Sequence, residues 1–201
     1  MEIKSIVLQL FEMGAINFGK FTLKSGLSSP IYIDLRITIS NPKLLKTIAE
    51  ELYRVVRGVR FDLLCGVPYT ALPFATAISI QHDIPLLLRR KEKKDYGTGK
   101  LIEGIFSSGQ RCLIIEDVIT SGKSIMETVE PLTEVGLEVT DAIVLVDREQ
   151  GGKKFLAQNG IELHSLCTIS SIVHLLTEEK KIDEKTAADT LAFIYSHQMH
   201  G

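Results

Sequence analysis

Apolar residues Ile3, Ile6, Val7, Leu8, Leu10 and Phe11 recur at helical spacing and stop at Gly14, which predicts an amphipathic first helix. Residues 16–36 then read as short extended pieces, with turn signals at Lys24-Ser25-Gly26 and Ser28-Ser29-Pro30. A second helix opens with Asn41 as cap and Pro42 in its first position, and ends at Gly58. It carries Leu44, Leu45, Ile48, Ala49, Leu52, Val55 and Val56 on one face. From there strand and helix signals alternate. Strands are predicted over 61–65, 85–88, 112–115, 142–146 and 162–167, and helices over 70–80, 121–135, 153–158 and 183–196. Pro73 should interrupt its helix early, and Pro131 should kink or shorten the helix that holds it. Such alternation predicts an α/β fold whose central, mostly parallel sheet is flanked by helices, with ligands at the C-terminal ends of the strands. No internal repeat or linker divides the chain, so residues 1–201 are expected to form a single domain.

Composition narrows the function. The net charge is −2, so no global basic character points to nucleic acid, and any attraction for anions must be local. Cys65, Cys112 and Cys167 are odd in number and lie in apolar runs, which suits reduced core residues better than disulfides or a zinc site. The N-terminal segment lacks a signal-peptide pattern and no apolar run approaches membrane-spanning length, so a cytoplasmic protein is expected. The five histidines show neither metal-ligand spacing nor a partner for nucleophilic catalysis.

Residues 111–124, RCLIIEDVITSGKS, carry the most chemistry. An apolar run ends in the acids Glu116 and Asp117, and after Val118 and Ile119 comes the hydroxylated turn Thr120-Ser121-Gly122-Lys123-Ser124. A helix N-terminus at that turn would offer unsatisfied N–H groups and a favourable dipole to a phosphate. The adjacent acids could accept hydrogen bonds from sugar hydroxyls, so a ribose phosphate fits. Gly122-Lys123-Ser124 also spells the end of a nucleoside-triphosphate P-loop, but that motif needs a glycine where Asp117 stands. An ordinary strand–turn–helix joint with a polar corner would show the same local pattern.

The segment resembles the phosphoribosyl diphosphate (PRPP) motif of the type I phosphoribosyltransferases. That resemblance implies their fold, with a small hood from about residue 1 to 40 plus parts of the C-terminal region, over a core of about 41–170. It implies that Glu116 and Asp117 bind the ribose 2- and 3-hydroxyls, Asp117 also serving catalysis. Val118 and Ile119 would border the ligand, and Thr120, Ser121, Gly122, Lys123 and Ser124 would wrap the 5-phosphate.

Residues 89–100, RRKEKKDYGTGK, follow directly from an apolar strand and contain Gly97 and Gly99 as hinges. A solvated surface loop would have this composition; so would a basic flap that closes over a polyanion. The run is similar to the catalytic loop of orotate phosphoribosyltransferases. The resemblance implies that Arg90, Lys91 and Lys94 contact the diphosphate of PRPP and serve catalysis, with Tyr96 nearby. It also implies a homodimer in which the 90–100 loop completes the neighbouring site. Many bacterial members have histidine at the place of Tyr96 and lysine at the place of Thr70. Tyr96 and the segment GVPYTALP (66–73) instead resemble the orotate domain of bifunctional UMP synthases, and Tyr69 remains a candidate PRPP contact.

Two further segments match the same family. In FTLKSG (21–26) and SSPIYID (28–34), the resemblance places Lys24 between orotate and PRPP, and Tyr32 or Ile33 on the pyrimidine ring. Arg148, after the 142–146 strand, becomes the ligand of the orotate carboxylate, with Thr120 beside it. By spacing alone Lys24 could end in water, and Arg148 could pair with Asp147 or Glu149. The implied reaction converts orotate and PRPP to orotidine 5′-monophosphate and diphosphate. Mg²⁺ would be carried by PRPP without a dedicated protein site. A different acceptor base, or a nucleotide-sensing regulator that binds RNA or DNA, are the alternatives. The first has no use for Arg148, and the second expects a basic face that the charge balance does not supply.

Overall fold

A computed structural model describes residues 2–22, 26, 28–91 and 101–197. The first helix, α1 (Glu2–Glu12), buries Ile6, Val7 and Leu10. Strands β1 (Ile16–Thr22) and β2 (Ser28–Ile33) pair antiparallel as a separate small sheet, with Ile16 opposite Ile33 and Asn17 opposite Tyr32. A short 3-10 helix, Leu35–Ser40, follows. Asn41 then caps α2 (Pro42–Val56), its side-chain oxygen accepting from Leu44 N at 3.1 Å, as the Asn-Pro pair predicted.

The main sheet contains β3 (Leu63–Gly66), β4 (Leu86–Arg89), β5 (Ile102–Glu103), β6 (Cys112–Ile119), β7 (Asp141–Asp147) and β8 (Glu162–Thr168). Among the described residues its order is β5-β4-β3-β6-β7-β8, parallel except for β5, which runs against β4. All four residues of β3 are buried, as is β7 from Ala142 onward, because helices cover both faces of the sheet.

Strand order fixes where those helices lie. From β3 the chain steps outward to β4, whereas β6, β7 and β8 step in the opposite direction. Right-handed crossovers therefore place α3 (Ala71–His82) on one face, and α4 (Lys123–Glu134) and α5 (Gly152–Gln158) on the other. Helix α3 packs on β3, β4 and β6, with α2 beside it reaching β7 and β8; α4 packs on β6 and α5 on β8. Two last helices, α6 (Ile169–Glu178) and α7 (Glu184–Ser196), pack on each other, α6 touching α1 and α7 touching β2.

Several elements depart from the sequence pattern for identifiable reasons. Strand β6 continues four residues past the predicted end, because Glu116, Val118 and Ile119 pair with Val144, Val146 and Asp147 of β7. The acids consequently sit within the strand. Helix α3 runs through Pro73 uninterrupted, since the proline occupies the first turn, where its missing N–H has no intrahelical partner. Helix α4 likewise continues past Pro131 to Glu134, the proline being buried in its last turns. Helix α6, β5 and the 3-10 helix were not predicted. Thr168 caps α6 reciprocally with Ser171, a capping box with serine in the usual Glu/Gln position.

Phe74 of α3 has no solvent exposure and belongs to the core between helix and sheet. Phe74→Ala should destabilise the protein by about 3–5 kcal/mol in urea unfolding, through lost burial and the cavity left behind.

Candidate active site

The reversal between β3 and β6 opens a crevice at the C-terminal ends of those strands, where adjacent connections leave in opposite directions. Backbone bonds tie its rims together. Val67 N donates to Ile115 O at 2.9 Å, Arg148 N to Ile119 O at 3.0 Å, and Gly152 N to Thr120 O at 2.9 Å. This last approach needs glycine, because a Cβ at Gly152 would lie 2.7 Å from both Ile119 Cδ1 and Thr120 O. Gly122, with φ +82°, makes the turn into α4, and a Cβ there would stand 3.1 Å from Phe155 Cδ1.

Helix capping separates this edge from much of the molecule. Asn41, Thr168 and Asp183 cap α2, α6 and α7 with their side chains. The helices following β3, β6 and β7 have no side-chain cap bond. Gly152 N of α5 is taken by Thr120 O and Leu72 N of α3 by Tyr69 O, so it is chiefly the turn into α4 that leaves its first N–H groups to solvent or an anion. At the start of α4, Glu116, Val118, Ile119, Thr120, Ser121, Gly122, Ser124 and Ile125 line a cavity of about 70 Å³. That is roughly the liquid volume of two waters, suited to one small tetrahedral anion.

Glu116 is buried, and its Oε1 accepts from Asp117 N at 3.0 Å. Burial raises its pKa well above the usual carboxylate range, and the adjoining Asp117 carboxyl adds to the rise. Asp117 is only half-buried and, like exposed Lys123, does not line the small cavity. The two carboxyl groups offer acceptors to vicinal hydroxyls, and the upward shift of Glu116 makes a protonated, donating form more accessible there.

A second cavity, of about 450 Å³, is lined by Tyr69, Leu72, Leu88, Arg89, Arg90 and Lys91. Lys91 Nζ lies 5.6 Å from the centroid of the Tyr69 ring, and Arg90 Nη1 donates to Glu103 Oε1 at 3.0 Å. The Pro68–Tyr69 peptide bond is cis. Lys24, Lys94 and Tyr96 lie outside the described residues. On β2, Tyr32 reaches the surface with its ring 5.5 Å from that of Phe21, while Ile33 packs against the core. Alternation along the strand gives the two side chains opposite faces.

Arg148 does not pair with its neighbouring acids. It is buried, its Nε donates to Gln150 Oε1 at 2.9 Å, and its Nη2 has no hydrogen-bond partner among the described residues. The acids are engaged elsewhere: Asp147 Oδ1 accepts from Glu149 N at 2.8 Å, and Glu149 Oε2 from Ser170 N at 2.7 Å. Gln150 was not singled out by the sequence, though its place in the turn after Asp147-Arg148 was a usable signal. Arg36 was also missed. It grips Asp34 with two bonds of 2.7 and 2.6 Å, and its charge reaches Tyr32 and Asp117.

Residues 39–159 match the phosphoribosyl transferase domain family. The chain is 54% identical over 192 residues to the uridine 5′-monophosphate synthase of Bos taurus, covering 94% of this chain and 40% of that protein. It is 44% identical over 184 residues to the orotate phosphoribosyltransferase of Chlamydia caviae, covering 90% and 89%. The structure of Leishmania donovani UMP synthase superposes with a TM-score of 0.88 at 37% identity, over 96% of this chain and 42% of that one. The chain thus spans about two fifths of the UMP synthases it matches. Both the motif resemblance and the expected α/β fold are borne out.

Glu116 yields a pH prediction. Its folded pKa lies above the unfolded value of 4.5, so above that pH the native protein binds more protons than the unfolded chain. Its contribution to stability therefore falls as pH rises through the folded pKa. Glu116→Gln keeps the acceptor for Asp117 N and cannot ionise. In urea unfolding it should match the parent near pH 4 and become progressively more stable than the parent toward pH 8. A difference independent of pH would contradict the assignment.

Proposed function

Because the chain belongs to the orotate phosphoribosyltransferase family, we propose that it transfers the phosphoribosyl group of PRPP to orotate. The products are orotidine 5′-monophosphate and diphosphate, a step of pyrimidine biosynthesis. Arg148 is the observation that carries the choice of base: a buried guanidinium with a free Nη2 calls for an acceptor, and its planar fork suits a ring carboxylate. The small cavity at the start of α4 supports the 5-phosphate assignment to Thr120–Ser124, and the Glu116–Asp117 pair supports the ribose hydroxyls.

In this reading the orotate ring nitrogen attacks C1 of the ribose as diphosphate leaves, with inversion at that carbon. Positive charge develops on the ribose ring and negative charge on the departing oxygens. Arg90, Lys91 and Lys94 stabilise the leaving group, contacts of this kind being worth ~3 kcal/mol each. Arg90 must release Glu103 to do so. Lys24 sits between the two substrates, and Tyr32 stacks on the pyrimidine as part of a hood that the contact of α7 with β2 supports. Closure of the 90–100 loop excludes water that would hydrolyse PRPP.

Mg²⁺ bound to PRPP would supply charge neutralisation at the diphosphate, beside Arg90, Lys91 and Lys94. A metal held by substrate oxygens and water, with no protein cage, suits the preferences of this small hard cation. A homodimer shares the loop between subunits, and exposed Tyr69 and Leu88 at its base support such a contact. No helix among the described residues is long and apolar enough to cross a membrane. The buried thiols, Cys167 being pushed up to about 12 by burial, support a reducing, cytoplasmic setting.

The deciding assay follows PRPP- and Mg²⁺-dependent loss of orotate absorbance with uracil and hypoxanthine as competing acceptors. Orotate alone should be consumed; PRPP binding without turnover of any base would overturn the reading. Arg148→Met should raise the orotate KM roughly a hundredfold, the cost of truncating one side of a buried charge pair, and an unchanged KM would remove Arg148 from the base site. Loop sharing has its own test. Mixing inactive Lys94→Ala and Asp117→Ala subunits should restore about a quarter of parental activity, since half of randomly exchanged dimers carry one intact site of two.

A further inference from the structure

At the opposite edge of the sheet, three metal-ligating side chains converge on one face of β7 and β8. Asp141 opens β7 and lies directly opposite Glu162, which opens β8. His164, two residues beyond Glu162, projects on the same side of its strand. One ligand atom from each residue lies within 4.8 Å of the others. His164 Nε2 is 2.8 Å from Asp141 Oδ1, and Asp141 Oδ2 accepts from Thr140 Oγ1 at 2.8 Å. Asp141 and His164 are largely buried, whereas Glu162 is exposed.

We propose that Asp141, Glu162 and His164 form a divalent transition-metal site that clamps the edge strand β8 to β7. Two carboxylates directly opposite across a strand pair repel each other, and a cation between them reverses that term. The donor set chooses the cation. One imidazole nitrogen with two carboxylate oxygens suits Zn²⁺ or Co²⁺, whereas Mg²⁺ and Ca²⁺ favour all-oxygen shells. Three protein ligands leave a fourth position for water. Two atoms on a tetrahedral zinc at ~2.1 Å lie about 3.4 Å apart, so His164 and Asp141 need part by only about half an ångström. The metal takes the place of the His164–Asp141 hydrogen bond, and Thr140 continues to orient the carboxylate from behind.

The site is independent of the transferase reading. Six residue steps along β7 separate Asp141 from Asp147 at the crevice edge, roughly 20 Å at ~3.3 Å per residue. Binding there acts on the sheet, not on reacting atoms. Strand β8 ends the sheet order, so a cross-strand clamp there opposes fraying.

Titration of the intact chain with Co²⁺, followed by visible absorption and calorimetry, tests the proposal. One equivalent should bind with the intense bands of a tetrahedral site, be displaced by Zn²⁺, and resist Mg²⁺. Zn²⁺ at about a hundredfold over its Kd should raise Tm by roughly 5 °C or more. Glu162→Gln, at an exposed position that leaves folding intact, and His164→Asn should each weaken binding by more than about tenfold. Absence of stoichiometric binding below ~100 μM metal, or binding retained in either folded variant, would overturn the site. Because the readout is spectroscopic and thermal, it stands apart from any failure of orotate turnover.

Discussion

Strands β3 and β6 lie side by side although α3, β4 and β5 intervene between them in the chain. From that pairing the connections diverge, and with right-handed crossovers α3 is committed to one face while α4 and α5 are committed to the other. A crevice then opens where the two directions part, lined by whatever follows β3 and β6. The close approach of Gly152 to Ile119 and Thr120 extends this rim to the turn after β7. Pairing of β6 with β7 brings the acid pair, the phosphate-sized cavity and Arg148 together, and the reversal between β3 and β6 opens the space beside them.

Stability is given up locally at that rim. Glu116 is held where its charged form is disfavoured, Arg148 keeps an unpartnered nitrogen, and α3, α4 and α5 lack the side-chain caps found on α2, α6 and α7. Each feature is unfavourable for the chain alone; an anion would satisfy the uncapped N–H groups and the open nitrogen of Arg148, and hydroxyls would hydrogen-bond the acid pair. The surrounding core, continuous from α1 through the sheet to α6, supplies the rigidity that such a site requires.

Much of this was legible in the chain. Apolar runs marked β3, β6, β7 and β8, Asn41-Pro42 marked the start of α2, and the hydroxylated residues after the acids in 111–124 marked the turn into α4. Pro73 misled although the predicted start at residue 70 already placed it in the first turn, where proline is harmless to a helix. Helix α6 escaped despite Ile169, Ile172, Val173 and Leu176 at helical spacing, its cap partner being Ser171. For Arg148, spacing left open a pairing with Asp147 or Glu149; the fold turned both acids toward backbone N–H groups.

The sequence by itself determined the features set by neighbours along the chain: periodicity, caps, turn chemistry and the order of functional groups. Those signals act over a few residues and survive without a fold. Tertiary structure decided what depends on distance across the sheet. It carried β6 through the acid pair by pairing it with β7, shifted Glu116 toward its neutral form by burial, and set Arg36 within reach of Asp117. It also brought Asp141, Glu162 and His164 to one face at the far edge. Desolvation and charge proximity are properties of packing in three dimensions, and linear spacing does not encode them.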